Sequence, residues 1–213
     1  MSRAQEIASA LLATTEKDII PLTARQVSQG CKLFGAAILD RASLSTVIAE
    51  TNNERESPLL HGEINCIQQF FKIPKDSRPE TKDCIFFATH EPCSLCLSGI
   101  TWSGFNEFYY MFTYEDSRDL FAIPYDIDIL KSVFQVPAPG ETEETLAEKP
   151  LYNRQNKFFK AQSLADLIES IEDGAAREKL KGELQRVRKM YDDLSATYQE
   201  GKKAGTATNS VFE

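Results

Sequence analysis

The chain has only two histidines. The first opens His61-Gly62-Glu63, and Cys93, 32 residues after it, belongs to Pro92-Cys93-Ser94-Leu95-Cys96. Composition alone would give about 0.005 occurrences of Pro-Cys-x-x-Cys in a chain with these proline and cysteine counts, so chance is a poor explanation even before the upstream His-x-Glu is required. Cysteines three apart face one side of a helix turn. A proline just before them suits a helix entrance, where free N–H groups and the helix dipole favour thiolates. His61 would add an imidazole nitrogen from the start of a second helix. A fold carrying this pattern must therefore bring two helix starts together. Two thiolates and one imidazole leave the fourth tetrahedral position open, as in a catalytic zinc site. The alternative is a closed structural site in which His90, the other histidine, supplies the fourth ligand. Against that, Thr89 and His90 lead along a strand away from the cysteine helix.

Glu63, two residues after His61, points off the ligand face but stays in the same first turn. There it can take a proton from an attacking water and deliver it to a ring nitrogen and then to a leaving amine. The alternative is an exposed glutamate that compensates the helix dipole. The other cysteines, Cys31, Cys66 and Cys84, lie in apolar settings and read as buried core thiols. An odd set of five in 213 residues argues against a disulfide framework and for a reducing, cytoplasmic location. No apolar run approaches the roughly 20 residues that span a bilayer, and no secretion or import signal is evident. The net charge of −8 opposes a broad phosphate-binding surface. That charge falls entirely outside residues 160–203, so nucleic acid would need a basic partner subunit.

Along the chain, residues 1–29 read as helical, with a bend or restart at Pro21. Two apolar runs, 32–40 and 43–50, flank a short turn and imply a hairpin. A helix over 61–72, a strand over 83–89, a helix over 93–102 and a strand over 107–112 follow, then short helices at 116–121 and 127–134. Alternation after an opening hairpin implies an α/β layered domain whose later strands run parallel. Residues 137–156 read as a long loop, and 161–200 as helical. Within the latter, Leu180, Leu184, Val187, Tyr191, Leu194 and Tyr198 follow a heptad rhythm. The expected division is an N-terminal helical segment (1–29), a zinc domain (30–160), C-terminal helices (161–200) and a flexible tail (201–213).

His-x-Glu with Pro-Cys-x-x-Cys resembles the cytidine deaminase-like superfamily of zinc-dependent nucleobase deaminases, over about residues 30–134. The run from Pro92 to Trp102, with Phe108-Tyr109-Tyr110 after it, is similar to guanine deaminase and to relatives acting on tRNA adenosine. His61-Gly62-Glu63-Ile64 is similar to fungal cytosine deaminase, and Leu33-Phe34-Gly35-Ala36 to the family's Pro-Phe-Gly-Ala. The resemblance implies a three-layer α/β/α fold with a mixed sheet of about five strands, here with an added C-terminal helical segment. It implies Zn2+ on His61, Cys93 and Cys96, with Glu63 as proton carrier and the Cys93 N–H steadying a developing oxyanion. As substrate contacts it implies Asn52 (with Asn53 an alternative), Phe34, Trp102 and Glu91. Phe34 and Trp102 could equally be packing residues, and His90 could contact a leaving group or cap its strand.

Three functions fit these residues. The first is hydrolytic deamination of a small aminated purine or pyrimidine base or nucleoside, with release of ammonia. The second is the same chemistry on tRNA or RNA adenosine or cytidine, and the third a non-catalytic zinc-binding subunit. The expected partners are a small molecule rather than nucleic acid, no membrane, and a second copy of the chain. The heptad stripe is too short to stand alone in water, so it must pack on its own core, on a second copy or on another protein.

Overall fold

The computed structural model describes residues 1–206 and 208–212; the rest of the tail expected over 201–213 lies outside the described residues. Strand β1 (Gly35–Asp40) turns through residues 41–45 into β2 (Thr46–Thr51). The turn places Leu44 in the left-handed region at φ 59°. Strands β3 (Cys84–His90), β4 (Glu107–Phe112) and β5 (Lys160–Ser163) complete a five-stranded sheet in the order β2-β1-β3-β4-β5. β1 is antiparallel to both neighbours, and β3, β4 and β5 are mutually parallel. The sheet is therefore mixed. All seven residues of central strand β3 are buried, which is why the sequence shows an apolar run there rather than alternation.

The helices are α1 (Arg3–Thr14), α2 (Ile20–Val27), α3 (Gly62–Lys72), α4 (Ser94–Trp102), α5 (Tyr114–Phe121), α6 (Tyr125–Ile129), α7 (Glu143–Ala147), α8 (Leu164–Glu169), α9 (Gly174–Lys189) and α10 (Tyr191–Lys203). The two-residue period of the strands sends alternate side chains to opposite faces. Phe86 and Phe108 meet Phe70 of α3 and Ile100 of α4 in one core. Phe87 and Tyr109 meet Leu11 of α1, Leu167 of α8 and Leu184 of α9 in the other. Three layers result, α/β/α.

Ser2 caps α1 in a reciprocal box with Gln5, which sets the helix start. A wide turn over Thr15–Ile19 carries the chain into α2, where Pro21 sits in the first turn and needs no N–H partner. The expected bend is thus a π-helical bulge within one continuous helical run. The expected loop 137–156 contains α7.

The structure changes three expectations. First, residues 1–29 and the helices after residue 161 are not appendages, because both sit in the core on one face of the sheet. Second, β5 pairs with β4 across the expected boundary at 160/161. It is short and polar at three of four positions, Lys-Ala-Gln-Ser, so no periodic apolar signal marks it. Third, all six residues of the heptad stripe are at most 8% exposed within the single chain. They pack on the chain's own core, and their seam offers no surface for assembly.

Candidate active site

Both helix starts foreseen from the sequence converge. His61 is the N-cap of α3 and Cys93 the N-cap of α4, and neither uses its side chain for capping. The capping of α3 comes from Asn52 at the end of β2, whose Oδ1 accepts the Gly62 N–H at 2.6 Å. Gly62 itself lies against the backbone of β1: a Cβ there would stand 2.8 Å from the Gly35 Cα and 3.0 Å from the Phe34 carbonyl oxygen. That contact fixes where His61 enters the helix, and it gives a physical reason for glycine in the His-Gly-Glu.

His61 Nδ1 lies 3.4 Å from Cys93 Sγ and 3.7 Å from Cys96 Sγ, and the three donor atoms all fall within 4.8 Å of one another. Tetrahedral zinc with Zn–S of about 2.3 Å and Zn–N of about 2.0 Å separates such ligands by roughly 3.6 Å. The donor set and its spacing therefore fit that ion. His90 is not in the cluster. It is packed among Phe34, Phe112, Phe121 and Tyr191, with Nδ1 2.9 Å from the Thr89 hydroxyl, so the closed-site alternative has no fourth imidazole.

Glu63 is buried beside these ligands. Burial pushes its carboxyl up to about 7, and the nearby Cys93 adds to the push. Burial opposes charge on His61, but the Cys93 sulfur outweighs it and lifts the imidazole to about 9. Cys93 is held well below the ordinary thiol range, first by a hydrogen bond from Cys96 and then by His61. Burial keeps the Cys96 thiol well above that range.

A cavity of about 270 Å³ opens onto His61, Cys93 and Ser94, with Phe34 and Asp126 among its walls. Phe34 lies in the cavity wall, and its ring also packs at a tilt against His90. Three expected substrate contacts are not brought to the cavity wall. Asn52 is fully buried, with Oδ1 held by Gly62 and Nδ2 donating to Glu54; Asn53 bonds Glu56 at the surface. Glu91 has no spare oxygen: Oε1 accepts from the Tyr152 hydroxyl and Arg154, and Oε2 from the Tyr114 N–H. Trp102 is 91% exposed and lines a separate cleft beside Tyr152 and Phe159. Nine residues of helix separate it from Cys93, about 13 Å along the axis, which is too far to cover a ring held at the ligands.

Sequence reasoning missed Lys32, Asp126 and residues 210–212, all of which line the cavity. Burial, then the Cys93 charge, pushes the Asp126 carboxyl up to about 8. Only the acidic Asp126-x-Asp128 pair at the start of α6 could have flagged it, and such pairs are common at helix starts.

The layered α/β domain thus holds a His-Cys-Cys cluster able to bind a metal ion at two helix starts, with a buried glutamate and a small cavity beside it. Residues 18–112 match the family model described as the cytidine and deoxycytidylate deaminase zinc-binding region. That stretch of the chain is thus similar to the zinc-binding region of cytidine and deoxycytidylate deaminases. A cytosine deaminase from Candida albicans is 32% identical over 84 residues, which cover 38% of this chain and 53% of that protein. The match therefore spans about half of that relative's length. Among solved structures, guanine deaminase from Bacillus subtilis aligns at 24% identity and TM-score 0.48 over 68% of this chain and 86% of that one. Guanine deaminase from Nitrosomonas europaea aligns at 17% identity and TM-score 0.45 over 83% of each chain. No helix among the described residues is long and apolar enough to cross a membrane.

Proposed function

We propose that the chain is a hydrolytic deaminase of small aminated purine or pyrimidine bases or nucleosides, releasing ammonia, with zinc held by His61, Cys93 and Cys96. The observation that carries this reading is the buried Glu63 carboxyl beside a His-Cys-Cys cluster of which His61 and Cys93 line a cavity. When bound, zinc supplies Lewis acidity and lowers the pKa of a water towards neutrality. The chain's own groups do the rest. Glu63 takes the proton of the attacking water on its carboxylate and passes it to the ring nitrogen next to the amine-bearing carbon, then to the departing amine. The Cys93 N–H, at the start of α4, would steady negative charge on oxygen. Phe34 offers an aromatic wall to a flat ring, and Asp126 an acceptor for its amine or ring N–H.

Two substitutions test the assignment. Cys96→Ser should lose zinc on metal analysis of the purified protein. Glu63→Gln should keep zinc and fold while ammonia release from a panel of bases and nucleosides falls by at least about 10²–10⁴. An active Glu63→Gln protein, or full zinc retention by Cys96→Ser, would sink the reading.

A further inference from the structure

Pro92 and Cys93 share one peptide unit, and its two polar ends have different fates. The Pro92 carbonyl accepts the Tyr114 hydroxyl, while the Cys93 N–H has no acceptor among the described residues. The C=O and N–H of a planar trans peptide point in opposite directions, so a bond that fixes the carbonyl also fixes where the N–H is aimed. Tyr114 is itself firmly held. It is the first residue of α5, whose N-cap Thr113 forms a reciprocal box with Asp116, and Asp116 accepts from Arg188 of α9 at 2.6 Å. The Tyr114 N–H, without an intrahelical partner at that position, donates to Glu91 Oε2 at 3.3 Å. The Glu91 N–H donates to the Phe112 carbonyl at 2.8 Å. Bonds to Phe112 and Tyr114 thus pin both residues ahead of Cys93. The Tyr114 ring is buried with Ile127 and Leu130. Burial, and then the Glu91 charge, pushes its phenol well above the ordinary range, so it remains a donor.

Resting on the deaminase reading above, we propose that Tyr114 is a positioning residue for the reaction: its hydroxyl, through the Pro92 carbonyl, aims and polarises the Cys93 N–H that steadies negative charge on oxygen. Two effects come from the one contact. The first is orientation, because the peptide plane cannot turn without breaking the bond at its carbonyl end. The second is strength, because a carbonyl that accepts a hydrogen bond draws electron density from its own amide nitrogen and makes the N–H a better donor. A hydroxyl that merely satisfied a buried carbonyl would contribute to stability and leave the rate alone. The two roles therefore separate in measurement.

The test compares the zinc-loaded full chain with Tyr114→Phe, which removes one oxygen and keeps the ring. Pro92-Cys93 is the only Pro-Cys step in the sequence. Heavy-isotope labels on the proline carbonyl carbon and the cysteine nitrogen therefore give a single carbonyl-to-amide NMR correlation, which reports this peptide without any turnover. In Tyr114→Phe it should move in both dimensions, with the Pro92 carbon upfield for loss of its hydrogen bond. For the base or nucleoside that is turned over, kcat and kcat/KM should fall together by about tenfold to 100-fold with KM nearly unchanged. That is short of the roughly 10²–10³ lost when an oxyanion donor is removed outright. Tyr114→p-aminophenylalanine, which restores a donor to the ring, should recover the parent correlation and most of the rate. An unchanged kcat with a lowered melting temperature, or a correlation that does not move, would overturn the proposal. Should the parent release no ammonia from any base or nucleoside, the deaminase reading falls instead, and the correlation alone decides whether Tyr114 sets the peptide.

Discussion

A single methyl group at position 62 would meet the backbone of two residues of the neighbouring strand, and backbone cannot swing aside as a side chain can. Gly62→Ala should therefore cost about 1–3 kcal/mol in urea denaturation and weaken zinc retention with it, because His61 is displaced by the same shift. His90 makes a different prediction. Burial, and then the charge of Arg188, holds its imidazole well below the ordinary 6.5, so the folded chain keeps it neutral while the unfolded chain protonates it. The stability this contributes is present above about pH 6.5 and is lost as the pH falls below it. Between pH 7.5 and pH 5.5 the parent should lose more stability than His90→Gln; equal losses would mean that the imidazole is protonated in its aromatic surroundings. The clustering of His61, Cys93 and Cys96, with Glu63 buried beside them, was legible in sequence because few residue types can bind zinc or carry a proton, and their spacing is dictated by helix geometry. Asp126 and Lys32 were not. Lys32 comes from the loop before β1 and Asp126 from the start of the five-residue α6, and neither position leaves a period in the sequence; Trp102 does not line this cavity, since similarity of a segment says nothing of which way its last turn faces.

Helices and strands with a buried stripe or an apolar run were readable from pattern, as 61–72 and 107–112 illustrate. Strand β5 was not, since an edge strand of Lys-Ala-Gln-Ser buries too little to show a period. Besides the ladder from β5 to β4, the loop before β5 is tied down by an ionic contact. Arg154 Nη2 reaches Glu91 Oε1 at 2.8 Å, and the Glu91 side chain is completely buried. Tyr152 donates to the same oxygen at 2.9 Å. Removing Arg154 would leave that carboxylate with neutral donors alone. Arg154→Ala should cost about 1–3 kcal/mol, below the 3–5 of a fully buried pair because half of the arginine faces water. Glu91 directly precedes the Pro92-Cys93 turn, and the Tyr114 hydroxyl also bonds the Pro92 carbonyl. The same variant should therefore loosen zinc, measurable as faster loss to a chelator. Unchanged stability and unchanged zinc would mean that the loop is held by its other contacts.

At the scale of the whole molecule, the two segments that read as flanking pieces are one layer. Leu11 of α1, Leu167 of α8 and Tyr191 of α10 share a core with Phe87 of the central strand. Ending the chain near residue 161 should therefore abolish the cooperative thermal transition rather than merely change the oligomeric state. A truncated chain that melts cooperatively would show that the sheet and α3–α4 stand alone. Because α9 and α10 spend their apolar stripe inside the chain, light scattering that finds a dimer would point to a different surface. The union of α1 with α9 across most of the chain has a kinetic consequence. Contacts between segments so far apart in sequence are entropically slow to close. During synthesis the first helices leave the ribosome long before their partners exist, with one face of the central strands bare in the meantime. A nascent chain of this design is exposed to aggregation until its last third emerges, so its yield in a cell should depend on chaperone supply more steeply than its equilibrium stability would suggest.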